Sequence, residues 1–349
     1  MGSIFFRVRV HARTRAFGAG RRAWLRGLLL ALCLNLCAQA AQAALKIGVS
    51  DWPGWVAWYI AEQRGLFRKY GADVKLVWFS SYTDSITALE RGRIDANSQT
   101  WPDTLAQRAR GAAVKAVLVN DNSAGNDAIV ARGHIDSVAA LKGRTVALEQ
   151  YSVSHFVLAT ALERHHLRLG DIRLINLSAA AAAAALHAGR VDAAVLWNPW
   201  VLELEQSGSG KAIFTSREMP GLIADLLVAR ESVIQARRAE LMAVVRAWYE
   251  VEKFLRDRPV EALASMSKAA GVKASDYALL LPGTRFFDAA ANRDAFDSGQ
   301  PQGLLAVAPA IDQYLRQVGL AGRGTAPAEA LDASFVLEVA ALMARGARR

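Results

Sequence analysis

The sequence predicts an α/β protein of two lobes, with mostly parallel sheets and a helical C-terminal extension on lobe one. Three observations carry that expectation. Strand-like apolar runs alternate with amphipathic stretches from Leu45 to about Arg230, the alternation runs twice, and beyond about Ser232 the chain turns almost wholly helical. Alternating β and α segments imply strands joined by helices that cover both faces of a sheet.

In order, apolar runs of strand length occupy 45–50, 73–79, 114–119, 144–149, 172–177 and 191–196. Such runs suit strands buried on both faces. Between them, 55–70, 83–91, 152–166 and 179–189 repeat apolar residues at helical spacing, and Gly71, Gly92, Gly111 and Gly189 close helices. Glycine there supplies the left-handed residue that ends a helix. The alanine run 179–185 is low in complexity, but alanine is the best helix former, so a helix is expected. Further helices are expected at 233–256, from Pro259, at 304–318 and at 331–344. The segments Ala88-Leu89-Glu90-Arg91-Gly92-Arg93-Ile94-Asp95-Ala96 and Ala185-Leu186-His187-Ala188-Gly189-Arg190-Val191-Asp192-Ala193 form an internal repeat, one copy per lobe.

The first 43 residues read as a cleavable export signal. Seven arginines precede the apolar stretch 28–36, no acid comes before it, and Ala41-Gln42-Ala43 fits the small-x-small cleavage rule. That stretch is well under the roughly 20 residues that span a bilayer. Gly20 to Arg26 also resembles a twin-arginine signal, but arginine-rich leaders produce such pairs by chance, so the Sec route is favoured. The leader arginines account for seven of the formal +10, leaving +3 on 44–349, which gives no reason to invoke nucleic acid or an anionic membrane. Cys33 and Cys37 leave with the leader, so cysteine nucleophiles, disulfides and thiolate metal sites are excluded from the remaining 306 residues. No metal or cofactor is expected.

Five colinear blocks carry a resemblance. The stretches LKIGVS at 45–50, AEQRGLFRKYGADVKLV at 61–77, ALERGRIDANSQT at 88–100, LKGRTVALE at 141–149 and SAAAAAALHAGRVDAAVLWNPW at 178–200 resemble periplasmic solute-binding proteins of ATP-driven importers, of the nitrate/sulfonate/taurine type. MPGLIADLLVAR at 219–230 continues the match. The resemblance implies a type II periplasmic binding protein fold: lobe one from 44–125 plus 225–349, lobe two from 126–224, crossings near 123–130 and 223–228, and hinged closure on a small solute. It also implies an inner-membrane permease as partner and a periplasmic location; a monomer is the simplest expectation.

Open α/β sheets bind ligands beyond the carboxyl ends of their strands. Candidates at such ends in lobe one are Asp51, Trp52, Trp55, Ser80, Ser81, Gln99, Thr100, Trp101, Asp121 and Asn122, with Asn126 and Asp127 near the hinge. Lobe two offers Ser152, Ser154, His155, Trp197 and Asn198. Trp52, Trp101 and Trp197 stand out because three separate loops agree. Each candidate has a structural alternative. Of Trp55 and Trp58, spaced for one helix face, Trp58 is expected in the core; Ser152 and Thr83 could cap helices; Asp51 beside Pro53 could only shape a turn; Asp127 could anchor the hinge. Acids without lysine or arginine disfavour a buried anion and, with tryptophan faces, suit a cation or a taurine-like zwitterion.

Two other classes compete. Thiamine-pyrimidine synthases share this scaffold, but their cysteine-rich motif has no counterpart after the leader, and no catalytic constellation stands out. A sensing module for a membrane receptor would usually bring a spanning helix and a signalling domain. A binding protein without enzymatic activity is the expectation.

Overall fold

The computed structural model describes residues 43–320 and 326–346, and Ala44–Arg349 forms one compact unit. Apart from Ala43, the expected export signal with its two cysteines lies outside the described residues.

Two sheets organise this unit. Strands β1 (Leu45–Val49), β2 (Val74–Trp78), β3 (Ala96–Thr100), β4 (Val114–Ser123), β10 (Ala224–Arg230) and β11 (Thr284–Phe286) form the first, in the order β11-β4-β10-β3-β1-β2. Strands β5 (Asp127–Ala131), β6 (Thr145–Leu148), β7 (Arg173–Asn176), β8 (Ala193–Trp197) and β9 (Lys211–Thr215) form the second, in the order β7-β6-β8-β5-β9. The sheets are mixed rather than mostly parallel. Only β2-β1-β3 and β7-β6-β8 pair in parallel, whereas the pairings β3-β10, β10-β4 and β4-β11 in the first sheet and β8-β5 and β5-β9 in the second are antiparallel. The reason is connectivity: β4 leads directly into β5, and β9 into β10, so the chain crosses between sheets at 124–126 and 216–223 without a helix to reverse it.

Helices α1 (Pro53–Val56), α2 (Trp58–Gln63) and α3 (Leu66–Tyr70) replace the single helix expected over 55–70; Gly65 at φ 64° separates the last two. Next come α4 (Tyr82–Glu90), α5 (Trp101–Ala109), α6 (Val153–Arg164), α7 (Ala179–His187) and α8 (Trp200–Gln206). The helical C-terminal part holds α9 (Glu231–Ala236), α10 (Arg238–Asp257), α11 (Pro259–Ala270), α12 (Ala274–Ala278), α13 (Ala289–Phe296), α14 (Leu304–Gln317) and α15 (Ser334–Gly346). The helix expected over 233–256 breaks at Arg237, whose φ of −130° leaves the helical range. Its guanidinium grips Glu240 and Asp95.

The internal repeat has one structural job done twice. In lobe one Asp95 Oδ2 accepts from the backbone N–H of Lys46 at 2.9 Å, and in lobe two Asp192 Oδ2 accepts from that of Thr145 at 2.8 Å. Gly92 and Gly189 take the same left-handed turn, at φ 67° and 68°. Each copy ends a helix and feeds a central strand whose carboxyl end points at the boundary between the lobes.

Strand β3 escapes an apolar-run criterion because Asn97, Ser98 and Gln99 are polar yet fully buried. Most of their polar atoms are paired with one another or their surroundings, as burial requires, though Asn97 Oδ1 has no partner. Asn97 Nδ2 donates to Ser85 Oγ and Gln99 Oε1, Gln99 Nε2 to Thr104 Oγ1 and Gln107 Oε1, and Trp58 Nε1 to Ser98 Oγ. Trp58 is core, its ring centroid 4.7 Å from that of Trp248 with the planes tilted 53°. Among the described residues, no helix is long and apolar enough to cross a membrane.

Candidate functional site

The carboxyl ends of β1, β2, β3, β6 and β8 bring their loops to the lobe boundary. There Trp52, Trp55, Tyr82, Thr100, Asp127, Val153, Trp197, Ile223 and Asp225 enclose a narrow cavity of about 10 Å³. Its walls are a run of rings: Trp52 lies 6.3 Å from Trp55, Trp55 lies 5.2 Å from Tyr82, and Tyr82 meets Trp197 edge-on at 5.8 Å. The lining holds two carboxylates and no lysine or arginine.

Acids dominate the surroundings as well. Asp121 and Asp225 face each other in register on β4 and β10, and Trp52 Nε1 donates to Asp121 Oδ1 at 2.9 Å. Burial pushes both carboxyls up, and the charge of Asp121 raises Asp225 further. Burial also lifts Asp127 to about 7, Glu149 to about 7 and Asp103 to about 6. Asp103 accepts from Tyr82 Oη at 2.6 Å and Thr100 Oγ1 at 2.7 Å, and Glu149 from the N–H of Ala179 at 3.2 Å. Asp121, Asp127, Glu149 and Asp225 each keep one buried carboxylate oxygen without a partner.

The lobes are fastened across this boundary. Asp51, from the β1 loop, accepts from Trp197 Nε1 at 2.9 Å and Trp200 Nε1 at 2.7 Å, both from the β8 loop. The N–H of Val153, at the start of α6, reaches Asp103 at 3.3 Å. On the outer side Gln313 of α14 donates to Glu163 of α6 at 2.5 Å, and the Tyr314 ring stands 5.6 Å from His155.

Of the residues expected at the site, Trp52, Trp55, Thr100, Asp127 and Trp197 line the cavity, Asp121 stands directly behind Asp225, and Asp51 serves the contact between lobes. Trp101 is a correction: it is fully buried, with Nε1 donating to the Leu304 carbonyl at the start of α14. Gln99 belongs to the polar interior of lobe one rather than to the cavity. Asn122 donates to the Ile223 carbonyl, tying the two crossings together. Asn126 donates to the Leu280 carbonyl and to Thr284 Oγ1 and accepts from Asn198 Nδ2, so both asparagines brace the hinge. Ser152 caps α6 through the N–H of Ser154, and Ser154 Oγ is buried without a partner. His155 accepts at Nδ1 from the N–H of Tyr151, and burial depresses it to about 4, which keeps it neutral. Ser81 pairs with Thr83, and Ser80 stands exposed on the rim. Sequence reasoning missed Tyr82, Asp103, Glu149, Trp200 and Asp225. Asp225 had a usable signal, an acid inside the apolar run of the second crossing.

Gly54 shows how tightly the acids are seated. A Cβ there would come within 2.1 Å of Asp121 Oδ2. Gly54→Ala should therefore displace Asp121, cost about 1–3 kcal/mol of stability as overpacking does, and weaken solute binding; chemical denaturation and a binding titration check both.

A scaffold of two α/β lobes closing on an aromatic slot at their strand ends defines a solute-binding protein of the periplasmic type. The chain belongs to the NMT1-like family, whose model matches residues 38–270. Among curated relatives, an aliphatic sulfonates-binding protein of Escherichia coli K12 is 27% identical over 254 residues, covering 72% of this chain and 79% of its own. The taurine-binding periplasmic protein of the same strain is 22% identical over 259 residues, covering 71% and 79%. Among solved structures, the alkanesulfonate-binding protein SsuA from Xanthomonas axonopodis pv. citri, bound to MOPS, superposes with a TM-score of 0.70 at 20% identity, covering 84% of this chain and 99% of that one.

Proposed function

We propose that this protein is the extracytoplasmic solute-binding component of an ATP-driven importer, capturing a small cationic, nitrogen-containing solute between lobe one (44–125 and 225–349) and lobe two (126–224) for delivery to a membrane permease. It works as a monomer without catalysis. The observation that carries the charge of the solute is the lining itself, with Asp127 and Asp225 buried against tryptophan and tyrosine rings and no lysine or arginine among the lining residues. Once these acids ionise, a sulfonate or nitrate placed there would meet negative charge at short range in a site of low dielectric, where like charges repel strongly. A cation is instead drawn by the ring faces and by charge-assisted hydrogen bonds. The relatives named for sulfonates and taurine support the transport role and the two-lobed trap; the acidic lining of this chain is what supports a cationic solute instead. The family resemblance and the expected leader support a periplasmic location.

A thermal-shift panel tests this. Cations such as guanidinium and methylammonium, set against nitrate, taurine and alkanesulfonates, should alone raise the melting temperature. Solute at 100 times its dissociation constant adds about 2.7 kcal/mol, a shift of a few degrees. A shift with sulfonates or nitrate only would overturn the cationic reading and leave the transport role standing. Turnover of a bound compound would move the protein to the enzyme class.

A further inference from the structure

We propose that Asp127 and Asp225 select, among small cations, a compact flat one bearing N–H donors on more than one edge, of the guanidinium or amidinium class. This rests on the cationic reading above and goes further in naming what the cation must carry. Both side chains line the cavity, are no more than 3% exposed, and keep one carboxylate oxygen without a hydrogen-bond partner. They come from different strands, β5 and β10, and each strand belongs to a different sheet. An unmet buried acceptor is costly unless the ligand supplies a donor. A cation without N–H groups would leave both oxygens unmet.

Shape and hydration narrow the class. Among the described residues, no three acidic, histidine or cysteine side chains gather tightly enough to hold a metal ion, so the acids suit an extended cation better than a single point charge. The ring-walled cavity, about 10 Å³, has room for about one water and falls far below the about 300–1,000 Å³ of sites for drug-sized ligands, so the lobes must part to admit a solute and a compact one is favoured. A guanidinium is planar, stacks on aromatic faces, matches carboxylates edge to edge and is more weakly hydrated than an ammonium, so it is easier to strip of water. Trp55 and Tyr82, tilted 38° with centroids 5.2 Å apart, offer such faces. Asp121, bonded to Trp52, acts as a positioning residue behind Asp225.

Isothermal titration of the purified protein with guanidinium, acetamidinium, methylammonium and tetramethylammonium chlorides, with taurine and sodium nitrate as controls, decides this; additions stay in the millimolar range and below. The expected result is binding of guanidinium or acetamidinium about 100-fold tighter than tetramethylammonium, the factor that loss of charge-assisted hydrogen bonds brings. Asp225→Asn and Asp127→Asn should each lower that affinity at least about tenfold without lowering the melting temperature, because each removes a buried charge while keeping the shape. Equal or tighter binding of tetramethylammonium would overturn donor selection, and that of methylammonium, which has N–H donors but is not flat, would overturn the flat-cation class; both leave the cationic reading intact. Binding of taurine or nitrate alone would overturn both. Absence of binding by any flat cation, or full affinity in both variants, would overturn the selection proposed here.

Discussion

Raising the pH from 5 to 8 should strengthen solute binding steeply while lowering the stability of the solute-free protein. The same carboxyls produce both effects. Asp127 and Glu149 are lifted to about 7 and Asp103 to about 6 by burial, and the Asp121–Asp225 pair is raised too. A carboxyl whose folded value lies above its unfolded one near 4 stabilises the fold when protonated. That contribution is complete below about pH 4 and is lost as pH rises through about 7. His155 acts in the opposite sense, since its depression to about 4 adds stability above about 6.5 that is lost as pH falls toward 4. One histidine opposes several acids, so the melting temperature of the solute-free protein should fall between pH 5 and 8. A cation requires the acids ionised. Each carboxyl near 7 that must ionise is about 1% ionised at pH 5 and about 90% at pH 8, which gives about 100-fold in affinity per group. Titrations at both pH values, in buffers of different ionisation enthalpy, should also register proton release on binding. Affinity independent of pH would mean that the acids do not touch the solute.

This pH behaviour separates what was legible in the sequence from what was not. Trp52, Trp55, Trp197 and Asp127 could be found because large aromatics and acids at strand ends are out of place in a core. Trp101 sits at an equivalent strand end, yet Pro102 and Asp103 begin α5 there and turn the indole inward toward Leu304. Position along the chain marks a strand end but does not say which face of the following helix a side chain takes. Asp103, Tyr82 and Asp225 belong to the site through partners from 18 to more than 100 residues away, and no local pattern reports such partners. The same limit explains the sheets. Apolar runs revealed β1, β2, β4, β6, β7 and β8, whereas β3 hid behind buried Asn97, Ser98 and Gln99, whose hydrogen bonds form only in the folded lobe.

Asp51→Ala should open the solute-free protein and weaken capture by one to two orders of magnitude. Asp51 is the single acceptor shared by Trp197 and Trp200, and it joins the β1 loop of lobe one to the β8 loop of lobe two. It is partly buried, and desolvation raises its pKa while the two indole bonds pull it back down. Hydrogen bonds to a charged group contribute about 1.5–3 kcal/mol each; at a partly solvated boundary the lower end applies, and loss of the pair still shifts the balance between closed and open forms more than tenfold. Apparent affinity scales with the population of the closed form, so the solute meets a weaker trap even though Asp51 is not among the residues lining the cavity. Small-angle scattering should show a larger radius of gyration for solute-free Asp51→Ala than for the unaltered protein, and the two should converge at saturating solute. An unchanged radius with unchanged affinity would mean that the lobes are held by Asp103–Val153 and Gln313–Glu163 instead, and that Asp51 only orients the two tryptophans.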